Sequence, residues 1–239
     1  CIRPKTSFSN IKIYIARIIK VVRTALIFGS SGLIGGHVLN HIIKDTNYSK
    51  IKLFVRSVPQ INDEKVEIIK TDFNNLPNHK KEIVGDDCFV CIGTTKQNSP
   101  DKNEYRRVEL EIPKEIANIA KSNSVNSFIF VSALYANSKS SGDYVRFKGL
   151  VEEELKRLNF PKLAIMRPSF LLGNRKEKRV GEKIGIIVFK ILSPLLLGPI
   201  KKMRPIHSET VAKAMIKVAN EDLQKNTFES NEIAELTLD

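Results

Sequence analysis

Tyr144 and Lys148 stand four residues apart in the stretch YVRFKG, and Ser132 precedes the tyrosine by twelve residues. On a helix, residues four apart share a face, so the lysine ammonium can lie near the phenol and favour its ionised form. A phenol that exchanges a proton with a carbonyl oxygen needs such a neighbour, because an unperturbed tyrosine titrates near about pH 10. The spacing therefore suggests proton transfer at a carbonyl oxygen, although an isolated pair of this kind is common on protein surfaces.

Tyr135 and Lys139 repeat the same spacing, but they lie in YANSKSSG, which is rich in turn-forming residues. Such a segment is expected to be a loop, where the four-residue spacing does not fix the geometry. We therefore predict that Tyr144 opens a helix and that Tyr135 does not.

A glycine pattern in ALIFGSSGLIGGHV, residues 25–38, is the second candidate site. Its glycines are placed to permit a tight turn, to let a pyrophosphate approach the backbone and to let a helix pack closely on a strand. The helix N-terminus would then offer N–H groups to the phosphate. The predicted cofactor-binding residues of this loop are Gly29, Ser31, Gly32, Leu33, Ile34 and Gly35; the alternative is a glycine-rich turn without a ligand.

Arg56 ends the second predicted strand, and no acidic residue occurs between positions 46 and 62. An acidic side chain would favour the ribose 2′-hydroxyl of NAD(H), whereas arginine suits a 2′-phosphate, so the sequence favours NADP(H) over NAD(H). Asp72 is the expected contact on the adenine side. The loop IGTT is expected to pass beneath the adenine ribose, with Gly93, Thr94 and Thr95 as contacts.

Short apolar runs alternate with longer periodic segments from residue 24 onward, which predicts β-α-β units around a parallel sheet. The six predicted strands are TALIFG, IKLFVR, VEIIKTDF, DCFVCIG, SFIFVSA and KLAIMR. A helix with a kink near Pro113 is expected between the fourth and fifth strands. The predicted fold class is α/β, a Rossmann-type doubly wound parallel sheet with a small C-terminal substrate-binding elaboration.

The expected organisation is an N-terminal basic arm at 1–22 and one NAD(P)-binding domain at 23–239, with 170–206 as a lid on the substrate side. The most apolar stretch, 184–200, is interrupted by lysine and proline. It is expected to form a lid helix or a pocket wall rather than a membrane segment.

Composition limits the partners and the compartment. The chain has 239 residues, a net charge of +13 and three cysteines, and it shows no clean secretory signal, so it is expected to be cytoplasmic. The basic residues are spread and interleaved with glutamates, which indicates a solvated face rather than a specific nucleic-acid site, and peripheral membrane contact is not expected. The CFVC motif is expected to hold buried strand cysteines rather than a redox pair.

The histidines suggest no metal site. His37 and His41 have a ligand spacing on the first helix, but no third ligand is nearby. His207 is expected to cap the last helix.

The chain resembles the short-chain dehydrogenase/reductase superfamily, specifically an atypical member like the Tat-interacting oxidoreductases. The resemblance covers residues 24–219 and rests on GSSGLIG, CIGTT, VSALYAN, YVRFKG, RPSFLLGNRKEKR and RPIHSETVAKAM. It implies a Rossmann fold, NADP(H) binding and a catalytic set of Ser132, Tyr144 and Lys148, with Arg167 and Ser169 on the cofactor side of the substrate pocket. Tyr135 departs from the family, in which a small residue is common at that position.

The resulting functional hypothesis is an NADPH-dependent oxidoreductase that reduces a carbonyl or similar group of a small molecule. Ser132 would hold the substrate oxygen, Tyr144 would donate the proton, and Lys148 would bind the nicotinamide ribose and lower the pKa of the tyrosine. The alternative is a non-catalytic NADPH-binding protein that regulates a protein partner. Substrate identity and oligomeric state stay open.

Overall fold

A computed structural model describes residues 22–173 and 198–238. Its centre is a seven-stranded sheet in which every strand pair is parallel. The strands are β1 (Arg23–Phe28), β2 (Tyr48–Val55), β3 (Val66–Lys70), β4 (Asp87–Val90), β5 (Ser127–Val131), β6 (Lys162–Arg167) and β9 (Thr227–Glu229). The strand order is β3-β2-β1-β4-β5-β6-β9. The order reverses between β1 and β4, so the predicted doubly wound Rossmann-type sheet is confirmed.

Helices cover both faces of this sheet. They are α1 (Leu33–Lys44), α2 (Lys102–Arg106), α3 (Ile112–Ser122), α4 (Asp143–Leu158), α5 (Ser208–Asn220) and α6 (Ser230–Glu235). Short 3₁₀ turns occupy Leu76–His79 and Gly198–Met203. A small parallel pair, β7 (Leu171–Leu172) with β8 (Ile206–His207), lies outside the main sheet.

The core consists of two apolar layers, one on each face of the sheet. Residues 25 and 27 of β1 belong to the layer that packs on α1 and α5, whereas residues 26 and 28 belong to the layer under α3 and α4. All four side chains are fully buried. This explains why the strands read as continuous apolar runs rather than as alternating ones.

The third and fourth strands each end three residues earlier than the sequence suggested, and β5 ends two residues earlier, at Val131. The predicted third strand runs to Phe73, but β3 ends at Lys70, and Phe73 adopts a left-handed φ of 65° that no strand can contain. The predicted fourth strand runs to Gly93, but β4 ends at Val90. Both tails form loops at the carboxyl edge of the sheet, where ligands bind in folds of this class.

The kink expected near Pro113 is confirmed. A π-helical turn at Arg107–Glu111 separates α2 from α3, and Pro113 stands in the first turn of α3. Proline has no N–H and its ring crowds the preceding turn, so a regular α-helix cannot run through it. The widened turn carries the chain across this position.

Some sequence predictions fall outside the described residues. These are the basic arm apart from Val22, and residues 174–197 of the expected lid, which include most of the apolar stretch 184–200. Among the helices that the structure does describe, none combines the length and the apolar character needed to cross a membrane.

Candidate functional site

The glycine loop joins the end of β1 to the start of α1. Gly29 has a φ of +87°, and a Cβ there would lie 2.8 Å from the backbone of Cys91, which follows β4. The Gly32 N–H donates to the Gly29 carbonyl at 3.0 Å. A Cβ on Gly35 would lie 2.2 Å from the same carbonyl oxygen. Two of the three glycines are therefore required by close backbone packing.

In the described residues, no side chain caps the N–H groups at the start of α1, which are therefore available to a ligand. Gly32 is the N-cap residue, no side chain accepts a hydrogen bond from the first turn, and that turn holds no acidic residue. Ser31 and Gly32 are exposed, whereas the side chain of Ile34 lies in the core, so only its backbone amide can serve a ligand. Free N–H groups at a helix N-terminus bind phosphate, so the loop fits a dinucleotide pyrophosphate.

Arg56 and Asp72 follow β2 and β3 at the same edge of the sheet. Arg56 is exposed and comes directly after β2. Asp72 accepts the Asn74 N–H at 2.9 Å, and this hydrogen bond lowers the pKa of the Asp72 carboxyl. The Arg56 guanidinium forms no hydrogen bond or ion pair with residues 22–173 or 198–238. It is therefore available to a ligand at this edge of the sheet.

The loop after β4 contains the predicted ribose contacts. Gly93 is exposed. The hydroxyls of Thr94 and Ser99 lie 3.1 Å apart, and the Thr95 hydroxyl accepts the Asn98 N–H at 3.3 Å. These hydrogen bonds join residues of the loop to one another, and Gly93 lies on the exposed side of the loop.

Helix α4 carries the tyrosine and the lysine as expected. Tyr144 lies in its first turn with 42% of its surface exposed, and Lys148 follows one turn later with a side chain that is only 3% exposed. Tyr135 lies in the preceding loop with a φ of 63°. The prediction that Tyr144 opens a helix and that Tyr135 does not is confirmed.

Lys148 is already surrounded by partners. Its Nζ lies 3.0 Å from Oε2 of Glu109 and 3.4 Å from the Ile92 carbonyl oxygen, and it stands 4.9 Å from the centroid of the Phe130 ring. The other oxygen of Glu109 accepts the N–H of Thr94. Burial works against the ammonium charge, but Glu109 outweighs it and raises the pKa of Lys148 above its usual value.

Ser132 and Arg167 meet at a second carboxylate. The Ser132 hydroxyl donates to Glu152 at 2.6 Å. The Arg167 guanidinium donates to both oxygens of Glu152 at 2.9 and 2.6 Å and to Glu229 at 3.0 Å. The expected place of Arg167 beside the cofactor does not match this geometry, because its guanidinium is held by carboxylates of its own chain.

Ser169 is similarly engaged. Its hydroxyl donates to the Arg204 carbonyl and lies 3.1 Å from the hydroxyl of Ser230. The structure therefore places Ser169 in a link between the end of β6 and the segment before β8, and not at an open ligand surface.

Two buried carboxylates were missed by the sequence analysis. Glu109 and Glu152 are 0% and 2% exposed. Glu109 stands four residues after Tyr105 in a helical segment, and Glu152 extends the four-residue spacing of Tyr144 and Lys148. A charged residue on the inward face of a predicted helix was the available signal, since buried charges are nearly always paired.

The cysteines and histidines add no chemistry to the site. Burial raises the pKa of the Cys88 thiol well above its usual value and that of Cys91 to about 12, which disfavours the thiolate that a redox motif needs. His41 lies 3.4 Å from Glu209 of α5. His207 does occupy the N-cap position of α5, but its side chain makes no capping hydrogen bond, and α6 follows, so the expected capping role is wrong. Within residues 22–173 and 198–238, no three His, Cys, Asp or Glu side chains form a metal-binding group.

Comparison with known proteins agrees with the fold. A family model described as NAD(P)H-binding matches residues 29–222. Protein FMP52-1, mitochondrial, from Scheffersomyces stipitis is 30% identical over 226 residues, which cover 89% of this chain and 98% of the relative. Protein HTATIP2 from Rattus norvegicus is 30% identical over 164 residues, 67% of each chain.

Solved structures share the architecture at low identity. A UDP-N-acetylglucosamine 4-epimerase from Methanobrevibacter ruminantium superposes with a TM-score of 0.63 at 19% identity, covering 87% of this chain and 76% of the epimerase. MoeE5 in complex with UDP-glucose and NAD gives a TM-score of 0.62 at 14% identity, covering 90% and 82%. At these identities the likeness describes the fold.

The relatives also overturn one expectation. Proteins of the FMP52 group from Scheffersomyces stipitis, Candida glabrata and Debaryomyces hansenii are named as mitochondrial. The predicted cytoplasmic location is therefore wrong. It rested on cysteine usage and on the lack of a secretory signal, and neither feature separates the cytosol from the inside of an organelle.

Proposed function

Because the chain belongs to the NAD(P)H-binding family and to the atypical short-chain dehydrogenases/reductases, we propose that it is an NADPH-dependent oxidoreductase that reduces a carbonyl group of a small molecule. One observation carries the proposal. The half-exposed phenol of Tyr144 stands one helical turn from a buried, charged lysine, beside the loop that follows β4.

The cofactor would lie along the carboxyl edge of the sheet. The glycine loop and the open N-terminus of α1 fit the pyrophosphate, Asp72 fits the adenine side, and Gly93, Thr94 and Thr95 fit the ribose that follows. Arg56 supports NADPH over NADH because a guanidinium can donate a pair of hydrogen bonds to a 2′-phosphate. When bound, the nicotinamide supplies the hydride.

At the reacting end, Tyr144 donates a proton to the substrate oxygen as the carbonyl carbon is reduced. Lys148 stands one turn further along the same face, and its ammonium lies 3.0 Å from the Glu109 carboxylate. Ser132 follows β5 directly, and its hydroxyl hydrogen is directed to Glu152. That hydrogen would have to turn away from Glu152 before Ser132 could hold the oxygen of a substrate carbonyl, which can only accept a hydrogen bond.

A carbonyl-substrate panel that follows the loss of reduced nicotinamide tests this proposal. Tyr144→Phe keeps the ring but removes the transferable proton, so turnover should fall by about 10²- to 10⁴-fold while NADPH affinity barely changes. Tyr135→Phe is the matched control and should keep most of the activity, because that phenol lies outside the helix. Normal turnover by Tyr144→Phe would remove the tyrosine from its role.

A second candidate is a non-catalytic NADPH-binding protein that signals through a protein partner. The contacts of Lys148 favour it, since an ammonium that is 3% exposed and paired with Glu109 is not presented to a ribose. The two candidates differ in one outcome. A protein that binds NADPH tightly yet reduces none of the panel, with Tyr144→Phe binding the cofactor equally well, supports the second.

We also propose a mitochondrial location, which the names of the FMP52 relatives support. Fractionation of cells that express the full-length protein tests this. Recovery in the cytosolic fraction alone would contradict it.

A further inference from the structure

Glu109 is a fully buried carboxylate in direct contact with the lysine of the site, and the proposed reaction leaves it without a role. It comes from the π-helical turn Arg107–Glu111, an element separate from α4. Its side chain is 0% exposed and lies 3.0 Å from Nζ of Lys148. The raised pKa of Lys148 keeps its ammonium charged, and removing either partner of a buried ion pair leaves the other without compensation.

The second oxygen of Glu109 ties this pair to the cofactor side. It accepts the Thr94 N–H, and it would lie 3.4 Å from a Cβ placed on Gly93. The Lys148 ammonium lies 3.4 Å from the carbonyl oxygen of Ile92 in the same loop. Glu109 therefore fixes the position of Lys148 relative to the loop in which the ribose is expected.

The pair also sets the electric field at the tyrosine. A lone ammonium near a phenol favours its ionised form, and an opposite charge within about 4–6 Å can shift a pKa by about 1–3 units. A carboxylate in contact with that ammonium cancels most of the effect. In the described part of the chain, the other titratable groups that interact with the pair are Tyr144 on α4, Tyr105 on α2 and Cys91 after β4, and Asp143 on α4 interacts with Tyr105.

Resting on the proposed function, we infer that Glu109 is a positioning residue that holds Lys148 against the cofactor loop and cancels its charge at Tyr144. The phenol then keeps its proton, and the site favours carbonyl reduction over alcohol oxidation. In that direction the Tyr144 hydroxyl proton passes to the substrate oxygen, while a bound nicotinamide would supply the hydride for the new C–H bond. The tyrosinate then regains its proton from water.

Titration of the tyrosine by ultraviolet absorption tests the inference without any substrate. The protein has five tyrosines, so the signal of Tyr144 is obtained by subtracting the titration of the Tyr144→Phe variant made in the same background. Glu109→Gln should lower the midpoint of Tyr144 by about 1 unit or more, because the lysine charge is then uncompensated. Glu109→Asp keeps the charge and should return the midpoint toward that of the unaltered protein. Glu111→Gln alters an exposed carboxylate of the same turn and should leave it unchanged.

A double variant keeps the test decisive if the single variant fails to fold. Glu109→Gln with Lys148→Met removes both charges together, which buried ion pairs tolerate better than the loss of one partner. Its Tyr144 midpoint should match that of the unaltered protein within about half a unit. An unchanged midpoint in folded Glu109→Gln, or a midpoint raised by about 1 unit or more in the double variant, would overturn the inference.

The Tyr144 titration can be interpreted whether or not the proposed reductase function is correct. A substrate panel that yields no turnover, together with the expected titration shifts, would reject the reductase and leave intact the effect of Glu109 on the Tyr144 midpoint. With an active substrate, Glu109→Gln should extend alcohol oxidation to lower pH by the same shift.

Discussion

Gly35 of α1 rests directly on the backbone of Gly29, and a Cβ on Gly35 would lie 2.2 Å from the Gly29 carbonyl oxygen. This contact fixes the angle at which the helix leaves the glycine loop. It joins the packing of the fold to the geometry of the proposed phosphate site.

Gly35→Ala should destabilise the protein by about 1–3 kcal/mol, the usual effect of forcing extra volume into a packed interior. The neighbouring Gly36→Ala is the matched control, because its Cβ would stand 3.3 Å from the Ser30 carbonyl oxygen and needs only a small adjustment. Urea unfolding of both variants measures the difference. Equal stability of the two would contradict the packing described for α1.

Gly32→Val should abolish NADPH binding while the fold survives. Gly32 is exposed and extended, with a φ of −79° and a ψ of 171° that valine adopts readily. The added methyl groups would occupy the space above the helix N-terminus, where a pyrophosphate must approach the backbone. Fluorescence titration with NADPH, alongside circular dichroism, checks both parts. Undiminished binding by the folded variant would mean that the phosphate lies elsewhere.

Arg56→Ala should weaken NADPH binding and leave NADH binding nearly unchanged, because only NADPH carries the 2′-phosphate. Arg157→Ala is a suitable control. Arg157 is 67% exposed and pairs with Glu154 near the C-terminal end of α4, the helix that Tyr144 opens. Dissociation constants for both cofactors should be measured at one salt concentration, since screening weakens such contacts. If the unaltered protein binds the two cofactors equally, Arg56 does not select between them.

Tyr135→Gly should be more stable than Tyr135→Ala by about 1 kcal/mol. Both substitutions remove the ring, which Lys202 approaches to within 4.9 Å of its centroid. They differ in the backbone, because a φ of 63° is strained for alanine and ordinary for glycine. Thermal unfolding of the pair isolates this strain, and equal stability would show that the loop relaxes.

Asp87 should make stability depend on pH. Its side chain is 1% exposed, accepts the Tyr48 hydroxyl at 2.8 Å and lies 2.7 Å from the Arg23 guanidinium. Burial is the largest influence on its pKa and raises it above the usual value. A raised pKa means that the folded state binds the proton more tightly, so this contribution is present below about pH 4 and is lost as pH rises through the folded-state pKa.

The pH dependence of the unfolding free energy is compared between the unaltered protein and Asp87→Asn, whose asparagine side chain cannot titrate. The unfolding free energy of the unaltered protein minus that of the variant should fall as pH rises from about 4, by at most about 1.4 kcal/mol per pH unit. Asp72→Asn, at an exposed position, serves as the control. A difference that stays constant between pH 4 and 7 would contradict the raised pKa.

The sequence was sufficient where local pattern decides structure. The glycine loop, the strand before it and the helix that Tyr144 opens each depend on residues within a few positions of one another. The strand ends at Lys70 and Val90 were misjudged because Phe73 lies three residues past the first and Cys91 and Ile92 directly follow the second. There the chain leaves the sheet for reasons of backbone geometry, such as the positive φ of Phe73, that hydrophobicity does not report.

The partners of the site residues could not be predicted in the same way. Lys148 meets Glu109 across 39 positions of sequence, and the two residues come from separate elements, α4 and the π-helical turn. Arg167 meets Glu229 across 62 positions. Spacing identified which side chains could react, whereas tertiary packing determined what each of them touches.

The π-helical turn at Arg107–Glu111 has a consequence for insertions and deletions. Such a turn holds one residue more than the α-helical turn it replaces. Each residue turns an α-helix by about 100°, so deleting one residue between Tyr105 and Glu109 would swing the carboxylate of Glu109 away from Lys148. A change of chain length at this point would thus alter the charge of the site while every residue of the Ser-Tyr-Lys set stays in place.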